Sequence, residues 1–358
     1  MKILSLFDGI SCGRLALQRA GIPVEKYYAS EIDKYAIKVT MANFPDTIQL
    51  GDVTKIDFKQ FVGKIDLLIG GSPCQDLSLS GKRAGLKGER SGLFYKFVEA
   101  LNVIKPKYFL LENNVGMPKE AYNEISRLMG CYPIDINSAL VSAQSRRRYY
   151  WTNIRLRKVR LFGIPHSDIP QPKDKNIILQ DILEDGIAYR HKSLCCLSSD
   201  GNFATHKDLL NRWTRHQEAP AKAIRVDDTM DSNGRNAKGY RIYHVLNGYV
   251  NLCDSTSPQN ETENLQCYNL YSKKDKSATL MTSEGEFSPC SQGVYRISLP
   301  DGYYIICALS PVEYERLQTL PDNYTDKGIS NTQRYKCIGN GWTVDVISHI
   351  FSFLKPII

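Results

Sequence analysis

The sequence predicts an α/β protein with a doubly wound, mostly parallel sheet and a smaller, β-containing second domain. Residues 1–160 alternate short apolar runs of strand length with segments of helical periodicity, which is the pattern of strand–helix–strand units. The strand-like runs are continuously apolar, as expected for strands buried on both faces of a sheet. A glycine-rich turn follows the first strand and lets a ligand approach the backbone and the next helix.

The elements of this first part follow one another in a regular order. The apolar runs predict strands at 3–7, 27–30, 65–69 and 108–111. Helical periodicity between and after them predicts helices at 13–20, 35–43, 93–104 and 119–129. We therefore assign residues 1–160 to one α/β core.

The chain changes character after residue 160. Three prolines mark a linker at 165–172, and residues 173–305 combine weak periodicity with short β-like runs at 240–245, 293–297 and 303–306. Helical patterns return at 311–317 and 342–354. We predict an inserted domain at 161–305 and a C-terminal segment, 306–358, that returns to the core.

The composition excludes several classes of protein. The chain has 358 residues, of which 42% are hydrophobic, which is too many for a mostly disordered chain. It contains no apolar run long enough to span a membrane, and residues 1–7 are too short for a signal peptide, so we expect a cytoplasmic protein. The ten cysteines show no Cys-x-x-Cys pair, which predicts reduced thiols and no metal. The net charge of +8 suits a polyanionic partner.

The turn after the first predicted strand is a candidate ligand site. Segment 7–13 reads FDGISCG, and its Gly-x-x-x-Gly spacing differs from that of dinucleotide sites, which favours another nucleoside ligand. Acids follow the next two strands: Glu31 and Asp33, where a carboxylate can hold ribose hydroxyls, and Asp52, which can accept from an adenine amino group. The alternatives are an ordinary turn and helix-capping acids.

Two further strand ends carry reactive groups. The run 70–75 reads GGSPCQ and places Cys74 where an open α/β sheet usually binds its ligand, so its thiolate is a candidate nucleophile. Glu112 ends the next strand and is a candidate to share a proton with a heterocyclic nitrogen. The alternatives are an inert core thiol and a capping cluster at 112–114.

Two basic segments complete the pattern. Residues 144–148 read QSRRR, and the surrounding stretch 137–167 contains seven Arg and Lys but no Asp or Glu. Residues 76–92 combine four glycines with Lys82, Arg83, Lys87 and Arg90, which predicts a lid that closes over phosphates. The alternatives are a solvated charged face and a surface loop.

Together these motifs resemble the C5-cytosine DNA methyltransferase family, in the family's order and over nearly the whole predicted core. The matching segments are 7–13, Glu31, Asp52, 73–75, 112–113, 144–148, 316–321 and 339–341. Residues 7–10, 72–74 and 341–344 are most similar to the animal de novo branch and its bacterial and phage relatives. Asn114 stands where the family usually has Val, and Ser72 where Pro or Phe is commoner, and neither is a reacting group.

The resemblance implies a Rossmann-like core that binds S-adenosylmethionine and releases S-adenosylhomocysteine. The residues implied to contact this cofactor are Phe7, Asp8, Gly9, Ile10, Cys12, Gly13, Glu31, Ile32, Asp52, Val53, Ser72, Pro73, Leu93, Asn340, Trp342 and Thr343.

The resemblance also implies a mechanism on a cytosine flipped out of duplex DNA. Cys74 would attack C6 as a thiolate, and Glu112 would stabilise the protonated N3, so that C5 becomes nucleophilic and accepts the methyl group. Arg148 would orient Glu112 and the base, and Arg146 would support the covalent adduct and nearby backbone. A base, through water, would then remove the C5 proton and Cys74 would leave.

The implied partner is double-stranded DNA, bound by a monomer, with a cognate restriction endonuclease as a further candidate. Base readers are expected in 161–305, near Arg225, Arg235, Asn236, Lys238 and Arg241, although these charges could equally contact only phosphates. The residues implied to bind DNA are Gln75, Ser78, Lys82, Arg83, Lys87, Arg90, Arg225, Arg235 and Arg241.

Three alternative functions remain open at this point. A tRNA cytosine methyltransferase shares the same motifs, although the large inserted region favours DNA. A catalytically silent DNA-binding regulator would usually lack Cys74, Glu112 or the glycine loop. A Cys-His hydrolase would need a His near the strand ends, whereas the six His lie at 166, 191, 206, 216, 244 and 349. The compact length favours a stand-alone prokaryotic or phage enzyme.

Overall fold

The computed structural model describes most of the predicted core and its C-terminal segment. The described residues are 1–71, 92–157, 163–186, 188, 191–193, 195–198 and 309–354, together with the backbone of short strands between 221 and 308.

The core is an α/β unit in which strands and helices alternate along the chain. Its strands are β1 (Lys2–Leu6), β2 (Lys26–Ser30), β3 (Ile48–Gln49), β4 (Leu67–Gly71), β5 (Tyr108–Asn114), β6 (Ile134–Asn137) and β7 (Arg147–Thr152). Its first helices are α1 (Cys12–Arg19), α2 (Lys34–Asn43), α3 (Gly92–Ile104) and α4 (Lys119–Met129). The strands and helices predicted for residues 1–129 are confirmed, with bounds that differ by at most a few residues.

The seven strands form one sheet in the order β3-β2-β1-β4-β5-β7-β6. The first five are parallel, whereas β7 is antiparallel to both β5 and β6, which confirms the predicted mostly parallel sheet. The chain runs outward from β1 to β3 and then returns to β4 on the other side of β1. The carboxyl ends of β1 and β4 therefore flank the point where strand order reverses, which is where open α/β sheets bind ligands.

Hydrophobic clusters cover both faces of the sheet because alternate strand residues point to opposite sides. Ile3 and Leu67 belong to one cluster, and Leu4 and Leu68 belong to the other. All four side chains are fully buried. The double burial explains why these strands are continuously apolar in the sequence.

The C-terminal segment packs on the first of these clusters. Its helices are α6 (Pro311–Leu317), α7 (Asn331–Asn340) and α8 (Val344–Phe351), and they follow the short α5 (Leu179–Ile182). Helix α7 was not predicted because its sequence is mostly polar and shows little periodicity. The helix expected at 342–354 begins only at Val344, since Gly341–Thr343 form a turn between α7 and α8.

Part of the predicted inserted region lies against the core. Ile169, Leu179, Ile182 and Cys196 are buried in the cluster that contains Ile3 and Leu110. The remaining strands are β8 (Leu156–Arg157), β9 (His166–Ser167), β10 (Ala221–Val226), β11 (Arg241–Ile242), β12 (Val245–Leu246), β13 (Tyr249–Asn251), β14 (Cys267–Asn269), β15 (Gly293–Val294), β16 (Arg296–Leu299) and β17 (Gly302–Ala308). The β content expected of this region is present, and the domain limits at 160 and 305 stay predictions.

None of the helices in the described part of the chain is both long and apolar enough to cross a bilayer.

Candidate active site

In the glycine-rich turn after β1, every second residue has a left-handed backbone conformation. Phe7, Gly9 and Ser11 have φ values of 59°, 61° and 58°. Gly9 suits this conformation because it has no Cβ, and Ser11 adopts it as the residue that precedes α1. A Cβ built on Gly9 would meet no atom within 4 Å, so the turn leaves open space on that side.

Asp8 lies within the same turn and is held by two hydroxyl donors. Tyr27 Oη donates to its Oδ1 at 2.7 Å, and Ser11 Oγ donates to its Oδ2 at 2.5 Å. Burial nevertheless raises the pKa of the Asp8 carboxyl from 3.8 to about 6. Asp8 is thus a turn-stabilising group that titrates near neutrality.

Glu31 is joined to this turn by backbone hydrogen bonds. Its Oε2 accepts from the N–H of Gly9 at 2.8 Å, and its Oε1 accepts from the N–H groups of Ile32 and Asp33 at 2.8 and 2.9 Å. The Ile32 side chain is 76% exposed, which is high for a large aliphatic residue. Glu31 and Ile32 together offer a fixed carboxylate beside an exposed apolar surface, which suits the polar sugar and flat base of a nucleoside.

The two neighbouring acids act as helix caps. Asp33 accepts from Tyr35 N at the start of α2, and Asp52 accepts from Thr54 N at the start of a short 3₁₀-helix, Val53–Lys55. The backbone N–H of Thr54 lowers the pKa of Asp52. The capping alternative is therefore confirmed for both acids, and a cofactor contact of Asp52 or Val53 stays a prediction.

Glu112, near the end of β5, is the centre of a second group of site residues, next to those of the glycine loop. It pairs with Gly71 of β4 across the parallel ladder. Its Oε1 lies 3.0 Å from Arg148 Nε, and its Oε2 accepts from Trp342 Nε1 at 3.2 Å. The side chains of Glu112 and Arg148 are only 12% and 15% exposed. Gly71 leaves room for both side chains, because a Cβ on it would approach Trp342 Nε1 to 2.8 Å and Glu112 Oε2 to 3.0 Å.

Several predicted site residues lie outside the described residues. Gly71 is the last described residue before the predicted nucleophile and lid. The residues beyond it are Ser72, Pro73, Cys74, Gln75, Ser78, Lys82, Arg83, Lys87 and Arg90. Arg235, Asn236 and Lys238 also lie outside the described residues, and only the backbone is described for Arg225 on β10 and Arg241 on β11. Their roles stay predictions.

The basic run at 144–148 divides its side chains between interior and surface. Ser145 and Arg147 are exposed, whereas Gln144 and Arg146 are buried. Arg147 pairs with Asp135 at the surface, and Arg148 pairs with Glu112. The interpretation as a solvated face therefore applies to Arg147 alone among the three arginines.

Arg146 is occupied by backbone carbonyls. Its Nη1 donates to Cys196 O at 2.8 Å, and its Nη2 donates to the carbonyls of Gly339 and Gly341, each at 3.1 Å. Cys195 Sγ lies 3.2 Å from Nη1. The guanidinium thus joins the segment around residue 196 to the turn between α7 and α8.

Gln144 and Gln318 extend this connection, and Gln318, which lies in the matching segment 316–321, was not assigned a role from the sequence. Gln144 Nε2 donates to Gln318 Oε1 at 2.9 Å, and Gln318 Oε1 also accepts from Thr343 Oγ1 at 2.7 Å. Gln318 Nε2 donates to the carbonyls of Ile338 and Gly341 at 3.0 and 3.3 Å. We call Gln144, Arg146, Gln318 and Thr343 the buried polar junction. Gln144 and Gln318 are both fully buried, and a sequence analysis that predicted their burial could have inferred a polar network, because buried polar groups need hydrogen-bond partners.

The remaining predicted cofactor residues differ in exposure. Thr343 is buried and bonded within the junction, whereas Asn340 is exposed. The indole of Trp342 lies over the glycine loop, since its Cζ3 would be 3.3 Å from a Cβ on Gly13. Ile10 and Cys12 are buried, and burial raises the pKa of the Cys12 thiol to about 12. Leu93 is partly buried against the second hydrophobic cluster. Cofactor contacts of these residues stay predictions.

No cluster of His, Cys, Asp and Glu that could hold a metal ion occurs among the residues with described side chains.

The chain matches a family model along nearly its full length. Residues 1–355 match the family described as C-5 cytosine-specific DNA methylase. An orphan methyltransferase, M.SPRI, of Bacillus phage SPR is 28% identical, and the match covers 99% of this chain and 97% of that protein. The type II methyltransferase M1.ScrFI of Lactococcus lactis subsp. cremoris is also 28% identical, over 98% of this chain and 76% of that protein.

Solved structures show the same fold. The Dnmt2 methyltransferase of S. pombe superposes with a TM-score of 0.54 at 16% identity, covering 99% of this chain and 98% of that one. A putative DNA modification methyltransferase encoded within an E. coli prophage gives 0.54 at 20% identity, with coverage of 99% and 98%.

Proposed function

The chain belongs to the C-5 cytosine-specific DNA methylase family, and on that basis we propose that it methylates C5 of a cytosine flipped out of a specific duplex DNA sequence. The observation that carries the proposal is the Glu112 carboxylate, held by Arg148 at the end of β5 beside Gly71. Cys74 is the third residue after Gly71, so at most about 10 Å of fully extended chain joins them. A nucleophile at Cys74 is thus tethered close to the proposed acid.

The residues around the glycine loop fit S-adenosylmethionine, which supplies an electrophilic methyl group when bound. Glu31 would bind the ribose hydroxyls and Asp52 the adenine amino group, while the exposed Ile32 would pack on the adenine ring. The open side of Gly9 leaves the room that a ligand needs against the backbone. The carboxylates, the apolar surface and the left-handed turn are the structural features that support this assignment.

Cys74 and Glu112 would divide the chemistry on the base. The Cys74 thiolate forms a bond to C6, and the electron pair of the C5–C6 double bond moves toward C5. Glu112 holds a proton at N3, which makes the ring a better electron sink. After C5 is methylated, a base removes its proton, the double bond re-forms and the C6–S bond breaks to release Cys74.

The two arginines would have different tasks in this reaction. Arg148 orients Glu112 directly through the contact at 3.0 Å. The predicted support of the covalent adduct by Arg146 is less direct, since that side chain already bonds three backbone carbonyls. We therefore place Arg146 as a residue that positions the turn carrying Trp342.

DNA would be bound by the segment that follows the proposed nucleophile in the sequence and by the inserted region. The lid at 76–92 would contact phosphates, and residues within 161–305 would read bases. We extend the proposal to a monomeric enzyme that acts in the cytoplasm of a bacterium or an infected cell. Exchange of the 161–305 segment with that of a relative should transfer the target sequence.

The proposal is tested first with the wild-type protein. Bisulfite sequencing of DNA from a methylation-free host that expresses the chain should reveal methylated cytosines in one sequence context. A duplex with 5-fluorocytosine at that site should then become covalently trapped in the presence of S-adenosylmethionine. Methyl transfer to tRNA but not to duplex DNA would overturn the DNA assignment.

Two variants separate the reacting groups. Cys74→Ser should abolish trapping, whereas Cys131→Ser, at a buried thiol of the core, should retain it. Glu112→Gln should slow methyl transfer about 10²- to 10⁴-fold because the proton donor is lost. Glu124→Gln, on the exposed face of α4, is the matched control and should keep the wild-type rate. Normal trapping of Cys74→Ser would exclude Cys74 as the nucleophile.

A further inference from the structure

We propose that the indole N–H of Trp342 is the resting partner of Glu112, which the target cytosine replaces when it enters the site. This inference rests on the proposed function, because it assigns Glu112 to the base. It adds a role for Trp342 in controlling entry of the base, distinct from the predicted contact with the cofactor.

The contacts of Glu112 show that both of its oxygens already have a donor. Arg148 Nε lies 3.0 Å from Oε1, and Trp342 Nε1 lies 3.2 Å from Oε2. The carboxylate is largely shielded, with 12% of its side chain exposed. A carboxylate oxygen can accept a second hydrogen bond, but the remaining approach to this one is narrow because the carboxylate is shielded by the two donors. We therefore infer that an entering base takes the place of one of them.

Trp342 is the donor that can be exchanged. The Arg148 contact is charge-assisted, and Arg148 is held in β7 opposite Asn114, two residues from Glu112 on β5. The indole is a neutral donor, and 3.2 Å is at the long end of the normal N–H···O range. It belongs to the turn between α7 and α8, outside the sheet.

The incoming base offers the same kind of group. Cytosine presents its exocyclic amino N–H and, once protonated, the N–H at N3 toward a carboxylate. Exchange of indole for base thus keeps a donor on Oε2 throughout, and the shielded oxygen is never left without a partner. The indole reproduces the hydrogen-bonding role of the substrate in the free enzyme.

The surroundings of Trp342 hold its backbone while leaving its ring at the site. The carbonyl of Gly341 accepts from Arg146 and Gln318, and Thr343 donates to Gln318. The ring itself lies against two glycines, near Gly13 of the first loop and Gly71 of β4. The indole therefore spans the space between the proposed cofactor site and the proposed acid. The buried polar junction anchors the turn that carries it.

Substitution of Trp342 by Phe tests the exchange because it removes the N–H and keeps an aromatic ring. The apparent Kd for a target duplex should fall about fivefold, which corresponds to one net hydrogen bond that no longer has to be displaced. The Kd for a duplex with an abasic target should stay at its wild-type value, since no base competes for Glu112. Equal changes for both duplexes, or weaker binding of the cytosine duplex, would overturn the proposal.

Fluorine NMR gives a second readout that does not depend on activity. The chain contains three Trp, so labelling with 5-fluorotryptophan gives few resonances, and Trp342→Phe identifies the one of interest. That resonance should shift with the cytosine duplex and remain in place with the abasic duplex. Trp151→Phe identifies the control resonance, that of a buried indole that donates to Ser126 Oγ and should not shift with either duplex. An unmoved resonance contradicts the exchange, whereas failure of the wild-type protein to be trapped would reject the proposed function itself.

Discussion

The two halves of the candidate site are built in opposite ways. Around the glycine loop, carboxylates accept backbone N–H groups from residues nearby in the chain, as with Glu31 and Gly9, which are 22 positions apart. In the buried polar junction, side chains connect distant segments, as with Gln144 and Gln318, which are 174 positions apart. The Asp8 and Glu31 carboxylates of the first half are held by donors within residues 9–33, whereas the second half depends on the closure of the whole core. The difference predicts that substitutions in the junction reduce global stability, whereas those among the loop carboxylates reduce it little or not at all.

The largest effect should come from Arg146. Arg146→Met leaves the carbonyls of Cys196 and Gly339 without this donor in a buried region, and we expect the free energy of unfolding to fall by about 3–5 kcal/mol. Urea denaturation followed by circular dichroism measures this loss. Arg147→Met, at the adjacent position, is the matched control. It should leave the midpoint close to that of the wild type, because its pair with Asp135 is exposed. Similar losses in both variants would remove the distinction between the two halves.

The next effect concerns Asp8 and depends on pH. Its pKa is raised from 3.8 to about 6 on folding, so the native state binds the proton more tightly than the unfolded chain does. Stability should therefore fall as pH rises from about 4 to 6 and then level off, with a total of about 3 kcal/mol. Asp8→Asn should remove this dependence, so its stability relative to wild type should rise over the same window. Parallel pH profiles for the two proteins would show that Asp8 does not titrate in this way.

The smallest effect separates capping from ligand binding at Asp52. Asp52→Ala should weaken S-adenosylmethionine about tenfold through loss of one charged hydrogen bond, measured by calorimetry. Asp57→Ala is matched, since Asp57 caps the following 3₁₀-helix, Phe58–Phe61, by accepting from Lys59 N. Both variants should lose a similar, small amount of stability, and only the first should lose affinity. Unchanged affinity in Asp52→Ala would leave capping as the sole role of that acid.

Much of the fold was accessible from the sequence because the relevant signals are local. Continuous apolar runs identified β1, β2, β4 and β5, and periodicity identified the helices between them. Helix α7 was missed because only a few of its residues are buried and they give no regular apolar stripe. The start of α8 was placed too early because a turn of three residues leaves no hydrophobic signal of its own.

The sequence by itself determined the α/β class, four strands of the sheet, the glycine turn, the acids at the strand ends and the family, since each depends on residue types at short, fixed spacings. Only the tertiary structure decided that Arg146 bonds the carbonyl of Gly341, 195 positions away, and that Trp342 donates to Glu112, 230 positions away. The physical reason is that a buried polar group needs a partner wherever packing brings one, and packing is a property of the whole chain. The spacing of residues along the sequence therefore does not show which partner a buried polar group will have.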